Sequence, residues 1–162
     1  MAEQEIDCIF CKIIRNEEPS EKIYEDDDVT CIKDINPVST HHYLILPNKH
    51  IRNAKELKPE DSDLFNKIVA TVDIISEKLN LNPASTRTGF HWPPFNTVNH
   101  LHLHVISPIE KMNLMRKMMF KYNSYWFVSV SMKFYYILQI LCKKNYYTLP
   151  TSFYRLTMSS LA

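Results

Sequence analysis

Glycine is almost absent from this chain of 162 residues, with Gly89 as its single example. A loop that brings several backbone amides close to a phosphate usually contains glycines, because side chains would hold the backbone away. The sequence therefore excludes a glycine-rich phosphate-binding loop of the usual kind. The 45% hydrophobic and 23% charged residues otherwise match an ordinary folded domain, and the length fits one such domain.

Acidic residues are absent from the last third of the chain. All 18 Asp and Glu lie in positions 1–110, where 11 Lys and Arg leave a formal charge of −7. The other eight basic residues follow in positions 111–162. Such a boundary is typical of a nucleic-acid tail, of a membrane-surface segment, or of sequence foreign to the ancestral domain.

Long hydrophobic runs are also missing. The apolar run at 134–142 has nine residues, well short of the roughly 20 that a transmembrane helix needs. The first residues, MAEQEIDC, lack the basic and apolar regions of a secretory signal. We therefore expect no transmembrane segment and an intracellular location, in the cytoplasm and also in the nucleus. In a reducing compartment, thiols or metal ligands are expected rather than disulfides; the four cysteines are Cys8, Cys11, Cys31 and Cys142.

Residue patterning predicts a small α+β domain. Segments 29–35 and 42–46 are rich in β-branched and aromatic residues and predict a hairpin-like pair of strands. Apolar residues at three- and four-residue intervals predict one long helix at 59–79. Two further strands are predicted at 86–91 and 100–107. This order of elements indicates a mainly antiparallel sheet with one long helix.

Three histidines alternate with leucines at the start of the last predicted strand. Successive side chains of a strand point to opposite faces, so His100, His102 and His104 are expected on one face, roughly 6.6 Å apart. Two chemistries fit such an array. One is a catalytic zinc ion with an open position for water, and the other is attack of a neutral imidazole on phosphorus. The spacing alone does not choose between them.

Four segments together resemble the histidine-triad family. They occur in the family's order and spacing, and they are CIFCKII, YEDDDVTCIKDINP, HHYLILPNKHI and HLHLHV. GFHWPPF before the triad and NSYWF after it are similar to the Hint branch. The resemblance implies a histidine-triad (HIT) domain at 6–127 with a HIT-like fold, an AMP-type purine nucleotide as ligand, and a homodimer.

The resemblance also implies a catalytic mechanism. His102 would attack the α-phosphorus of an adenosine 5′-monophosphoramidate and carry AMP until water releases it. His104 would contact the phosphate oxygens, and His42 and His100 would complete the proton network. No metal is required for this chemistry. The alternative is a nucleotide-binding or scaffold protein with residual catalysis, because the segment before the triad departs from the glycine-rich loop of better-known relatives.

Three further positions match the family's nucleotide site. Asp34 and Ile35 lie where relatives hold the ribose and base, and Thr97 lies where relatives place a serine. A carboxylate that accepts bonds from ribose hydroxyls is chemically sensible, but an Asp before Asn-Pro is also typical of a turn. His91, taken alone, is interpreted as a core or surface histidine.

A structural zinc site is a second implication of the resemblance. Relatives build it from a Cys-x-x-Cys pair and two histidines, which correspond to Cys8, Cys11, His50 and His100 here. The alternative is a pair of half-buried thiols in an N-terminal helix, with His100 left to the proton network.

The resemblance ends after Phe127. Residues 128–162 are basic and aromatic, and we interpret them as an alternative terminal exon or a read-through sequence. Packing against the domain, contact with a membrane surface and a poorly folded terminus all fit this composition. No histidine follows His104 and only Cys142 remains, so the zinc finger of DNA-acting relatives cannot form. We expect no stable nucleic-acid binding.

Overall fold

Six strands form one antiparallel sheet in this computed structural model, which describes residues 7–122 and 124–130. The strands are β1 (Lys22–Glu25), β2 (Val29–Lys33), β3 (His41–Pro47), β4 (Arg87–His91), β5 (Leu103–Ser107) and β6 (Phe127–Ser129), in the spatial order β1-β2-β3-β5-β4-β6. The helices are α1 (Ile9–Ile14), α2 (Ser62–Lys78) and α3 (Leu114–Met119). Short 3₁₀ turns lie at Ala54–Glu56, Pro59–Asp61, Pro83–Ser85 and Ile109–Lys111. The predicted α+β class is confirmed.

The predicted hairpin and long helix are both present. Strands β2 and β3 pair antiparallel, with Val29 opposite Pro47 and Lys33 opposite Tyr43. The long helix starts at Ser62 because the preceding residues from Pro59 form a 3₁₀ turn. Pattern analysis missed β1, β6 and α3, which have three to six residues each and are too short to show a period.

The last predicted strand begins three residues later than expected, at Leu103 instead of His100. The Leu101 amide donates to the carbonyl of Ile51 at 2.6 Å, so a loop partner holds this segment before the sheet begins. Of the three alternating histidines, only His104 therefore lies on β5.

Helix α2 covers the sheet face opposite His104. Gly89 is paired with His104 across β4 and β5, so its neighbour Phe90 points to the other face. There Phe90 meets Phe65 of α2, with ring centroids 6.2 Å apart. Ile68 and Ile75 of the same helix are fully buried, each contributing about 1.5–3 kcal/mol of hydrophobic stabilisation.

Helix α1 packs on the His104 face of the sheet. Its buried side chains share one hydrophobic cluster with strand residues, comprising Cys8, Phe10, Cys11, Ile13, Ile32, Leu44 and Leu46. A second cluster closes the other end of this face and contains Val38, Ile106, Met112, Phe120 and Phe127. The histidines lie between the two clusters.

The predicted tail at 128–162 lies outside the described residues, apart from its first three positions. Strand β6 includes Val128 and Ser129, which pair with Phe90 and Gly89 of β4. The apolar run at 134–142 also lies outside the described residues. Within the described ranges, no helix combines the length and apolar character needed to cross a membrane.

Replacement of Gly89 by alanine should destabilise the domain by about 1–3 kcal/mol, the usual range for overpacking. A Cβ at Gly89 would lie 2.6 Å from Phe127 Cε1 and 2.7 Å from the carbonyl oxygen of Val128. Urea denaturation monitored by fluorescence measures the loss. The double variant Gly89→Ala with Phe127→Leu should recover part of it, and a Gly89→Ala variant as stable as the parent would contradict the packing argument.

Candidate active site

A hollow of about 800 Å³ opens between α1 and the sheet. Two triad histidines, His102 and His104, line it. The loop after β2 lines it as well, through Asp34, Ile35, Asn36 and Pro37, and Thr97 and Val98 line it from the loop before the triad. The structure thus brings the predicted nucleotide-holding residues and two of the predicted catalytic histidines together around one space.

The ring of His102 is held in one tautomer by a backbone carbonyl. Its Nδ1 lies 2.6 Å from the carbonyl oxygen of His100, and a carbonyl can only accept, so Nδ1 carries the hydrogen. The other ring nitrogen, Nε2, then keeps its lone pair. Burial lowers the pKa of His102, which keeps the ring neutral near pH 7. A neutral ring with an available lone pair is a nucleophile.

His104 and His42 form a second chain of hydrogen bonds. The Val38 amide donates to Nδ1 of His42 at 3.3 Å, so His42 carries its hydrogen on Nε2. That nitrogen lies 2.9 Å from Nδ1 of His104 and donates to it, which leaves the hydrogen of His104 on Nε2. This Nε2 is buried and has no hydrogen-bond partner within the described part of the chain. This series of hydrogen bonds therefore ends in a donor suited to a ligand oxygen.

Burial keeps both of these rings neutral. It lowers the pKa of His42 to about 4, although the nearby Asp34 carboxylate opposes the shift. The pKa of His104 lies well below its usual value for the same reason, with nearby His102 and His42 adding to the shift. An anionic ligand at this site would consequently meet the Nε2–H of a neutral His104 rather than a cluster of imidazolium ions.

Asp34 stabilises the turn after β2 and also lines the hollow. Its Oδ1 accepts from the Asn36 amide at 2.8 Å, as expected of a turn residue. Its Oδ2 lies 3.5 Å from Nδ1 of His42. Ile35, at the rim, is 91% exposed and so offers an apolar surface to a ligand.

The ring of His100 lies away from the hollow, among the N-terminal cysteines. Its Nδ1 is 3.4 Å from Sγ of both Cys8 and Cys11, and Sγ of Cys11 is 3.2 Å from Nδ1 of His50. His100 Nε2 donates to the Pro47 carbonyl at 2.9 Å, so its Nδ1 lone pair faces the sulfurs. The carbonyl of His100, and not its ring, is what contacts His102.

These four residues fit a structural zinc ion. Their ligand atoms all lie within 4.8 Å of one another. Tetrahedral zinc with Zn–S near 2.3 Å and Zn–N near 2.0 Å places its ligands roughly 3.3–3.8 Å apart. The hydrogen bond from His100 Nε2 to a carbonyl is the usual support of a metal-bound histidine. We propose that Cys8, Cys11, His50 and His100 hold zinc with a structural role.

Asp34, His42 and His104 also offer ligand atoms within 4.8 Å of one another. Two of the ring nitrogens in this group form a hydrogen bond with each other. The remaining ring nitrogen of His42 accepts a hydrogen bond from a backbone amide. The arrangement favours a hydrogen-bond network over a catalytic metal.

His91 is a site residue that sequence reasoning missed. Its ring meets that of His104 edge to face, with centroids 4.9 Å apart, and its Nδ1 donates to the Trp126 carbonyl at 3.2 Å. Burial lowers the pKa of His91 to about 4. The sequence signal that could have found His91 is its place in the predicted strand at 86–91. Strand residues two apart share a face, and Gly89, two residues before His91, pairs with His104.

Comparison with known proteins agrees with this geometry. The family model described as "Scavenger mRNA decapping enzyme C-term binding" matches residues 7–120. Adenosine 5'-monophosphoramidase HINT3 of Mus musculus is 37% identical over 139 residues, which cover 84% of this chain and 82% of that protein. The chain belongs to the histidine-triad family.

Two other members of the histidine-triad family extend the comparison. Adenosine 5'-monophosphoramidase HINT3 of Xenopus tropicalis is 38% identical over 127 residues, covering 77% of this chain and 83% of that protein. The solved structure of a HIT family hydrolase from Clostridium thermocellum has a TM-score of 0.60 and 36% identity, covering 65% of this chain and 91% of that one. The predicted HIT-like fold is confirmed.

Zinc binding should depend on the four clustered residues. Purified protein is expected to contain one zinc per chain by elemental mass spectrometry. Cys11→Ser should lower that content because it removes a thiolate ligand. Cys31→Ala is the matched control, since Cys31 is a buried thiol that is not part of the cluster. Equal zinc in both variants, or none in the parent, would contradict the proposed site.

Acid should weaken the fold through the buried histidines. His91 has a pKa of about 4 in the folded chain against about 6.5 when unfolded. Between pH 7.5 and 5 the unfolded chain therefore takes up a proton that the folded chain does not. The free energy of unfolding falls by about 2 kcal/mol for this group alone.

The variant His91→Asn should show a pH dependence that is shallower by about this amount. Urea denaturation at several pH values measures it. Comparison at pH 8, where the parent ring is neutral in both states, separates lost packing from lost proton linkage. Parallel curves for parent and variant would show that His91 titrates alike in both states.

Proposed function

We propose that this protein hydrolyses the P–N bond of adenosine 5′-monophosphoramidates, giving AMP and an amine through a covalent adenylyl intermediate on His102. The observation that carries the proposal is the pairing of a nucleophile with a donor in one hollow. His102 presents a lone pair on Nε2, and His104 presents a hydrogen on Nε2. Both line the space that Asp34 and Ile35 border.

In the first step, Nε2 of His102 forms a bond to the α-phosphorus and the P–N bond breaks. The electron pair of that bond goes to the departing nitrogen, which also takes a proton. His104 supplies the proton from Nε2 and receives another at Nδ1 from Nε2 of His42, while His42 takes a proton from the solvent at Nδ1 and returns it in the second step. The Asp34 carboxylate, 3.5 Å from Nδ1 of His42, stabilises the proton at this entry point.

The second step runs the same relay backwards. Water attacks phosphorus, the bond to His102 breaks, and His104 Nε2 takes the proton of the water. AMP leaves and His102 recovers its lone pair. Two displacements at modest barriers replace one difficult displacement, which is the advantage of a covalent intermediate.

The relatives support the hydrolase class. The two that are named adenosine 5'-monophosphoramidase above match this chain over most of their own length. Asp34 and the exposed Ile35 support an AMP-type ligand, since a carboxylate suits ribose hydroxyls and an aliphatic side chain suits a base. The homodimer and the intracellular location stay predictions.

Replacement of His102 by alanine should reduce turnover of adenosine 5′-monophosphoramidate by at least about a thousandfold, because the nucleophile is lost. A coupled assay for AMP measures the rate. His41→Ala is the matched control, because His41 lies next to His42 but contacts Tyr43 instead of the network. Its activity should stay near that of the parent. Full activity in His102→Ala would refute the assigned nucleophile.

The covalent intermediate can be trapped and located. Brief mixing with a slowly cleaved phosphoramidate, followed by denaturation and mass spectrometry, should show one adenylyl group on the peptide containing His102. AMP binding without such an adduct and without turnover would favour the nucleotide-binding or scaffold alternative.

A further inference from the structure

Helix α3 carries an apolar surface that the proposed chemistry does not use. Four of its six side chains are apolar and at least 43% exposed, and we call them the methionine patch: Leu114, Met115, Met118 and Met119. At 100° per residue they cover one continuous arc of about 140° on the helix. None of the four lines the hollow at His102. A contiguous exposed apolar patch of this kind marks an interaction surface.

Buried neighbours hold the helix with this patch outward. Met112 before the helix and Phe120 after it are both buried, in the cluster that closes this end of the sheet face. Nε1 of Trp126 donates to the Met118 carbonyl at 3.0 Å, which ties the last turn of the helix to the segment before β6. The patch is therefore a preformed surface, so binding does not first have to order it.

Four basic side chains, which we call the flanking cations, surround the patch. Arg116 and Lys117 lie about 60° beyond the two ends of the apolar arc, and Lys111 and Lys121 lie just before and just after the helix. Within the described part of the chain, none of the four is ion-paired with a carboxylate. Glu110 is the last acidic residue of the sequence. The surface around the patch is therefore positively charged.

A dense acidic segment of the domain lies at the opposite edge of the sheet. Positions 17–28 contain seven Asp and Glu against one Lys, and they include the edge strand β1. The cluster that anchors α3 contains Phe127 of the other edge strand, β6. Five spacings of about 4.8 Å separate these two edges by roughly 24 Å, well beyond the screening length of about 8 Å in physiological salt. The acidic segment therefore does not cancel the attraction between the flanking cations and an anionic surface.

We propose that the methionine patch and the flanking cations dock this protein on a membrane surface that contains anionic lipids. The apolar side chains of the patch enter the boundary between headgroups and acyl chains, while the Lys and Arg side chains reach the lipid phosphates. A second copy of this chain is a poorer occupant, because a symmetric contact would bring the same cations together without a carboxylate. The inference goes beyond the proposed hydrolase and does not depend on it.

Vesicle flotation with the full chain tests the surface. Vesicles of phosphatidylcholine mixed with phosphatidylserine should carry the protein to the top of a density gradient, and vesicles of phosphatidylcholine alone should leave it behind. Binding should weaken at high salt, because salt screens the flanking cations. Binding to neither kind of vesicle, or equally to both, would overturn the proposal.

A matched pair of variants tests the apolar part of the surface. Met115→Glu and Ile74→Glu each replace an exposed apolar side chain by the same charge, but Ile74 lies on α2. Met115→Glu should weaken binding to anionic vesicles by at least about tenfold, because a carboxylate cannot enter the acyl boundary and opposes the lipid charge. Ile74→Glu should bind nearly as the parent does. Equal binding by the two variants would overturn the proposal.

A second pair tests the cations. Lys117→Ala with Lys121→Ala should weaken binding about five- to thirtyfold, the range expected for two cations near an anionic surface. Arg52→Ala with Lys55→Ala removes the same charge from exposed positions outside the patch and should retain most of the binding. Equal losses in the two double variants would show that net charge alone attracts the lipid, which would also overturn the proposal.

Trp126 reports whether the patch itself enters the lipid, because its ring nitrogen donates to the Met118 carbonyl. In a Trp92→Phe variant it is the only tryptophan of the chain, and anionic vesicles with brominated acyl chains should quench its fluorescence. Bound but unquenched protein would mean that another segment attaches, which would overturn the proposal. A dimer of the parent in lipid-free solution that Met115→Glu dissociates, measured by sedimentation, would assign the patch to a second copy instead.

Discussion

The hydrogen bond from His102 Nδ1 to the His100 carbonyl is the contact on which the chemistry of the site depends. It places the hydrogen on one nitrogen and leaves the lone pair on the other, next to the hollow. The carbonyl is itself held in place, because the His100 ring donates a hydrogen bond to the Pro47 carbonyl and lies against the two cysteines. The cysteine cluster thus positions the His102 ring without lining the hollow.

Burial keeps the histidines neutral near pH 7, and it also costs folding free energy. Rings that are buried in the folded chain stay neutral near pH 7, so one can act as a nucleophile and another as an uncharged donor. The same burial leaves Nε2 of His104 without a partner in the described part of the chain, which costs folding free energy. A ligand oxygen that accepts from this nitrogen would recover that cost on binding, so this donor favours an anionic ligand.

The shortage of glycine limits the ways in which this chain could bind an anion. Its one glycine, Gly89, provides space for Phe127 within the sheet rather than for a ligand. In place of the backbone amides of a glycine-rich loop, the site offers the Nε2–H of His104, which ends a series of hydrogen bonds from the Val38 amide through His42. Antiparallel pairing of β3 with β5 brings these two histidines, 62 residues apart, into contact.

The sequence by itself determined the fold class, the hairpin, the long helix and the segment that carries the chemistry, because these depend on local periodicity and on a run of distinctive residues. Alternation predicted one face for His100, His102 and His104, but β5 begins only at Leu103. Tertiary contacts with Ile51 and Pro47 turned the His100 ring toward the cysteines. Only the folded structure could assign the tautomers and place His91 against His104, because each depends on atoms that are distant in sequence.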